Sequence, residues 1–144
     1  MTAPVAFTKR RTPHLPKRYD PRGRPFAAAL AAATETFHSG DFHGALVGCA
    51  HIESEYGEQP WTQMLLVLIT KDRLGERDRA LATATRLVER WPGWLDGRYN
   101  LGAFLQEEGR WEEALHHLRR AIAIDATHVP TMIQLGICHE AMGD

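Results

Sequence analysis

Cys138-His139-Glu140 sets a thiol, an imidazole and a carboxylate side by side, the residue types of a nucleophile with its base. On a helix, however, consecutive side chains diverge by about 100°, and a thiolate needs an electropositive, exposed setting that a core cysteine beside Glu140 lacks. The other histidines offer no better constellation. No two of the eight stand four apart with an acid between them, and no Cys-x-x-Cys pair exists, so the chain lacks a zinc motif. His38 and His43 bracket a turn but are too few for tight metal binding, while the adjacent His116 and His117 are expected on a solvated helix face with Glu112, Glu113 and Arg120. Phosphate loop, dinucleotide fingerprint and GxSxG elbow are all missing. The reading is therefore of a chain without catalysis, metal or cofactor.

What the sequence does carry is a period. Gly40, Gly75, Gly109 and Gly143 fall 35, 34 and 34 residues apart, and Ala45, Ala80 and Ala114 each follow their glycine by five. In the clearest unit, Trp111, Ala114, Leu115, Leu118 and Ile122 keep helical spacing and leave the charged residues on the opposite face. Upstream of them lies Asn100-Leu101-Gly102, whose glycine lets a preceding helix come close to Ala114. Each unit thus reads as two antiparallel helices with a glycine turn between them.

Asn100-Leu101-Gly102, Gly109-Arg110-Trp111-Glu112-Glu113-Ala114-Leu115, Ala121-Ile122 and Ile124-Asp125 together closely resemble the tetratricopeptide repeat of 34 residues. The resemblance implies an all-α, right-handed superhelical array of helical hairpins, an α-solenoid. Its repeats are expected over 26–59, 61–94 and 95–128, with Pro60 as one inserted residue. The middle copy is irregular, because Leu68 and Leu87 stand where the third has Gly102 and Ala121. Residues 129–144 match a first helix, either a cap or the start of a fourth repeat in a longer chain.

In that family the first helices of successive repeats line a concave groove. Carried over by position, the groove comprises Leu30, Thr34 and Phe37, then Leu65, Ile69 and Asp72, then Asp96, Tyr99, Ala103 and Gln106, and finally Ile133, Ile137 and Glu140, with Asn100 beside Tyr99 as a further polar contact. Such a lining implies a protein or peptide partner with apolar anchors and basic flanks. The two-carboxylate clamp of chaperone cofactors is not present, since only Asn100 matches it and the positions that should be basic hold Leu30 or Leu65 and Pro130 or Gln134. The implied role is a noncatalytic adaptor. Alternatives are chaperone-like shielding of an apolar segment, a nucleic-acid-associated adaptor, and self-association through the last helix.

Charge is unevenly spread. Residues 1–25 hold seven Lys or Arg against one Asp, whereas residues 26–144 hold ten against seventeen acidic residues. The proline-rich basic leader is expected to be extended and mobile, a tail that either stays solvated, folds back along the acidic repeats or contacts phosphates, although Tyr19 and His14 alone offer stacking. No apolar run is long enough for a membrane span, and the leader lacks a secretory core, which makes the cytoplasm the expected compartment. Cys49 and Cys138 are expected as separate core residues. Trp91 and Trp94, either side of Pro92-Gly93, are expected to leave a ring exposed.

Overall fold

A computed structural model describes residues 26–73 and 75–143, with the side chains of 72 and 73 outside the description, as is the basic leader. It contains α1 (Phe26–His38), α2 (Phe42–Tyr56), α3 (Pro60–Arg73), α4 (Arg77–Arg90), α5 (Leu95–Glu107), α6 (Trp111–Ile124) and α7 (Val129–Met142), and among the described residues there is no strand. The helices fall into two compact units. One reaches Thr83 and the other begins at Ala84, so the division lies within α4.

In the N-terminal unit, α1 and α2 form a hairpin. The turn closes with Gly40 at φ +88°, a backbone state that favours glycine, and the Asp41 carboxylate caps α2 by accepting from the Gly44 amide at 2.8 Å. Phe26, Ala29, Leu30 and Ala33 face Ala45, Cys49, Ile52 and Tyr56, all buried, and the Phe26 and Tyr56 rings meet edge to face at 5.1 Å. α3 packs on both. Pro60 takes its first position, where a missing N–H costs nothing, and Thr62 and Gln63 both donate to Glu53 Oε1, at 2.7 and 2.8 Å. Trp61, Met64, Leu65, Val67 and Ile69 are all buried, so α3 is apolar around most of its circumference. In α4, which the division crosses, Ala80 on one side of it and Ala84 and Val88 on the other are buried at four-residue spacing.

In the C-terminal unit, α5 and α6 form the second hairpin and α7 packs on both. Leu101, Phe104 and Leu105 of α5 share the core with Ala114, Leu115, Leu118 and Ala121 of α6. Gly102 is needed for the approach of these helices: a Cβ there would lie 2.7 Å from Leu118 Cγ and Cδ2 and 3.5 Å from the Ala114 carbonyl oxygen. Leu118, more than Ala114, is thus the residue that Gly102 receives. Gln106 ties α7 down, its Nε2 donating to the Gln134 carbonyl at 2.7 Å and to Cys138 Sγ at 3.0 Å.

Two expectations are corrected here. Trp94 is buried, 1% exposed, because its ring lies against Gly97, where a Cβ would come within 2.5 Å of it; Trp91 is half-buried beside the Arg90 guanidinium, 5.7 Å from the ring centroid. His117 is half-buried rather than solvated. Its Nδ1 lies 2.8 Å from Arg98 Nη1 across the hairpin, and since a guanidinium only donates, Nδ1 accepts and the proton sits on Nε2. Burial and then the Arg98 charge push the His117 imidazole down to about 4.

Candidate partner-binding surface

The residues with reactive side chains are placed for packing. Cys49 and Cys138 are both free and fully buried, and burial followed by the Glu53 charge pushes the Cys49 thiol up to about 12. Among the described residues, no group of three or more His, Cys, Asp or Glu could hold a metal ion, and no helix is long and apolar enough to cross a membrane.

The groove positions taken from the sequence separate into three kinds. Leu30, Leu65 and Ile69 are buried, which takes them out of any open lining. Thr34 and Phe37 are half-buried, the Thr34 hydroxyl donating to the Leu30 carbonyl at 2.8 Å and the Phe37 ring meeting that of Phe42 at 5.6 Å. The Asp72 side chain lies outside the described residues.

In the C-terminal unit the polar members are engaged internally. Asp96, Asn100 and Gln106 are all buried; Asn100 donates to the Asp96 carbonyl at 2.8 Å, one turn back, and Gln106 holds α7. Tyr99 is half-buried with its ring edge-on to His128 at 5.5 Å, and His128 in turn lies 2.6 Å from the Thr131 hydroxyl. Asp96, Asn100 and Gln106 are thus turned into the unit rather than presented to a ligand, while Tyr99 keeps part of its ring exposed beside the start of α7.

The third kind lies on α7. Ile133 is 58% exposed, Ile137 43%, and Glu140 is exposed beside them. At about 100° per residue, positions 133, 137 and 140 share one face of the helix, while Thr131 and Cys138 on the opposite side are buried against the unit. Val129 and Met132 are exposed as well, with Met132 farther round the helix from this face, and were not among the residues expected from the sequence. Counted back one period they match Leu95 and Arg98, which are buried, so repeat position gave no sign of their exposure. Chemically the surface is an apolar ridge with a single carboxylate, suited to holding hydrophobic side chains and to no bond-making step.

Comparison with known proteins agrees with this geometry. Residues 96–128, which cover α5 and α6, match the tetratricopeptide repeat family model. No curated protein matches the chain in sequence. Among solved structures the chain is similar to a thermophilic TPR protein of Thermus thermophilus, with a TM-score of 0.67 and 22% identity over 82% of this chain and 66% of that one. It is likewise similar to the first TPR domain of the human RPAP3 protein, with a TM-score of 0.66 and 14% identity over 82% of this chain and 92% of that one. A third likeness is to an O-GlcNAc transferase mutant of Thermobaculum terrenum, with a TM-score of 0.67 and 24% identity over 79% of this chain but 22% of that one. Residues 96–128 thus match the tetratricopeptide repeat where the signature residues are seated in the α5–α6 hairpin, and the chain is similar in fold to these structures.

Proposed function

We propose that the chain is a noncatalytic scaffold that holds an apolar segment of a partner protein against the groove side of α7. The observation that carries this reading is the exposure of Ile133 and Ile137 on a helix whose opposite side is firmly packed. Burying a large aliphatic side chain is worth about 1.5–3 kcal/mol, so two adjacent isoleucines in water favour a complex that covers them. Tyr99 adds an aromatic edge from α5, and Glu140 adds a carboxylate that favours a basic residue flanking the partner's anchors.

The test uses peptides selected from a display library against the intact chain. A selected peptide is expected to shift the backbone amide resonances of Tyr99, Ile133 and Ile137. It should lose at least about tenfold in affinity for an Ile133→Glu, Ile137→Glu variant whose helical circular dichroism is unchanged. Equal binding to that variant removes this face as the site.

A further inference from the structure

The α1–α2 hairpin is open along one side because of what its own residues lack. Two periods before Arg98 and His117, whose side chains meet across α5–α6, stand Ala29 and Gly48. The opening thus comes from side-chain size and not from where the array begins. It forms a shallow cavity of about 230 Å³, whose lining includes Ala29, Ala32 and Ala33 of α1 and Gly44, Val47 and Gly48 of α2. A cavity of about 150 Å³ suffices to take up benzene, so an aromatic ring fits here. Val47 stands on the rim, 57% exposed. Carboxylates mark both ends of the seam: Asp41 Oδ2 lies where it would meet a Cβ added at Gly44, and Glu55 follows the lining residue Ile52 by three on the same side of α2. From Phe26 to Thr70 the chain has five Asp or Glu and no Lys or Arg.

We infer that this seam is a docking site for the chain's own basic leader, with the Tyr19 ring in the cavity and the cations on either side of it turned to the carboxylates at the ends. The leader lies outside the described residues, and its sequence supplies the matching chemistry. Tyr19 is its aromatic residue nearest α1, with Lys17 and Arg18 before it and Arg22 and Arg24 after it. Reach agrees as well. Phe26 comes seven residues after Tyr19 and seven before Ala33. Seven extended residues cover up to about 23 Å, whereas seven residues of helix rise about 10 Å, so a fold-back brings Tyr19 level with Ala33 with slack to spare. So short a tether holds the ring at an effective concentration of about a millimolar or more, which makes even a weak contact persistent. Charge disfavours a second copy of the hairpin as occupant, because both faces carry the same negative sign. Docked, the leader commits four of its seven cations to the hairpin, and a polyanion that binds them must first displace it.

The full chain with isotopically labelled methyl groups tests this by nuclear Overhauser spectroscopy at low salt. Cross-peaks are expected from the Tyr19 ring to the methyls of Ala33 and Val47. In a mixture of labelled and unlabelled chains they should arise within one chain only. Trypsin gives a second readout, the rate of cleavage after Arg22. Val47→Lys, at an exposed position that leaves helical circular dichroism unchanged, should speed it about fivefold or more, and Tyr19→Ala, outside the repeats, should do the same. Asp41→Asn with Glu55→Gln should speed it about threefold, since asparagine keeps the α2 cap while the charges are gone. At about 0.5 M salt the charge variant should lose its effect and Tyr19→Ala should keep most of it. Absence of the cross-peaks, or cross-peaks to methyls away from the seam, overturns the proposal. So does cleavage indifferent to both Val47→Lys and Tyr19→Ala. Cross-peaks between chains overturn it too, since the occupant is then the leader of a second copy.

Discussion

The α1–α2 and α5–α6 hairpins are built on one frame, offset by 69 residues from Gly40 to Gly109, yet they fill the space between their helices in opposite ways. Where α5–α6 has Gly102 against Leu118, α1–α2 has Ala33 and Cys49: the small side has gained a methyl and the large side has shrunk. Where α5–α6 has Arg98 bonded to His117, α1–α2 has Ala29 and Gly48. The consequence is visible as a shallow cavity of about 230 Å³ whose lining includes Ala29, Ala33 and Gly48. One hairpin is closed by a leucine plug and a polar pair of buried Arg98 and half-buried His117. The other is closed by small residues alone and keeps an open seam, which shows that the repeat frame fixes helix spacing only to within the size of a side chain.

Removing the plug should expose this difference most strongly. Leu118 is fully buried, so Leu118→Ala is expected to cost about 2–5 kcal/mol in denaturant unfolding, whereas Cys49→Ala, at the matching position, should cost clearly less. A loss of equal size at both positions contradicts the contrast.

A smaller effect comes from the close-approach residues. Gly102→Ala drives a Cβ to 2.7 Å from Leu118, whose buried side chain has little room, and is expected to destabilise by about 1–3 kcal/mol despite the better helix propensity of alanine. Gly48→Ala meets Ala33 Cβ at 3.1 Å beside the open seam, where the helices can yield, so strain and propensity should cancel to within about 1 kcal/mol. Thermal melts of the two variants side by side decide the point.

The polar pair gives the smallest and most specific signal. Folded, His117 titrates at about 4 against an ordinary value of 6.5, so between those values the unfolded chain binds more protons. Its contribution is complete above pH 6.5 and is lost as pH falls toward 4, first through the cost of charging a half-buried ring and then through repulsion from Arg98, with His116 and Arg120 adding to it and Glu113 opposing it. Solvent around a half-buried ring screens the effect below that of the glycine change. His117→Gln should flatten the slope of stability against pH in this window, and an unchanged slope excludes the pair as its source.

Much of the fold was legible because its punctuation is backbone geometry. Gly40, Gly75, Gly109 and Gly143 all adopt positive φ, between +64° and +88°, and helices end just before each of them. Gly57, at φ +76°, went unread because it closes a connection between repeats, outside the glycine-alanine spacing. The surface was less legible. Position in a repeat tells which way a side chain points but not how deep its neighbours reach, so Leu30, Leu65 and Ile69 proved buried. Gln106 and Asn100 were read as ligand-holding because hydrogen-bonding capacity is visible in a sequence, while the carbonyls that consume it are not. His117 was misplaced for a similar reason: its partner Arg98 lies 19 residues away on another helix.

Pro60 has a bearing on how such an array tolerates uneven spacing. An extra residue within a helix turns every later side chain by about 100° and would carry the apolar stripe into water. At the first position of α3 it precedes all the residues whose direction matters, and proline needs no hydrogen-bond partner there. The step of 35 between Gly40 and Gly75 is therefore silent to packing: the chain grew by one residue without changing phase.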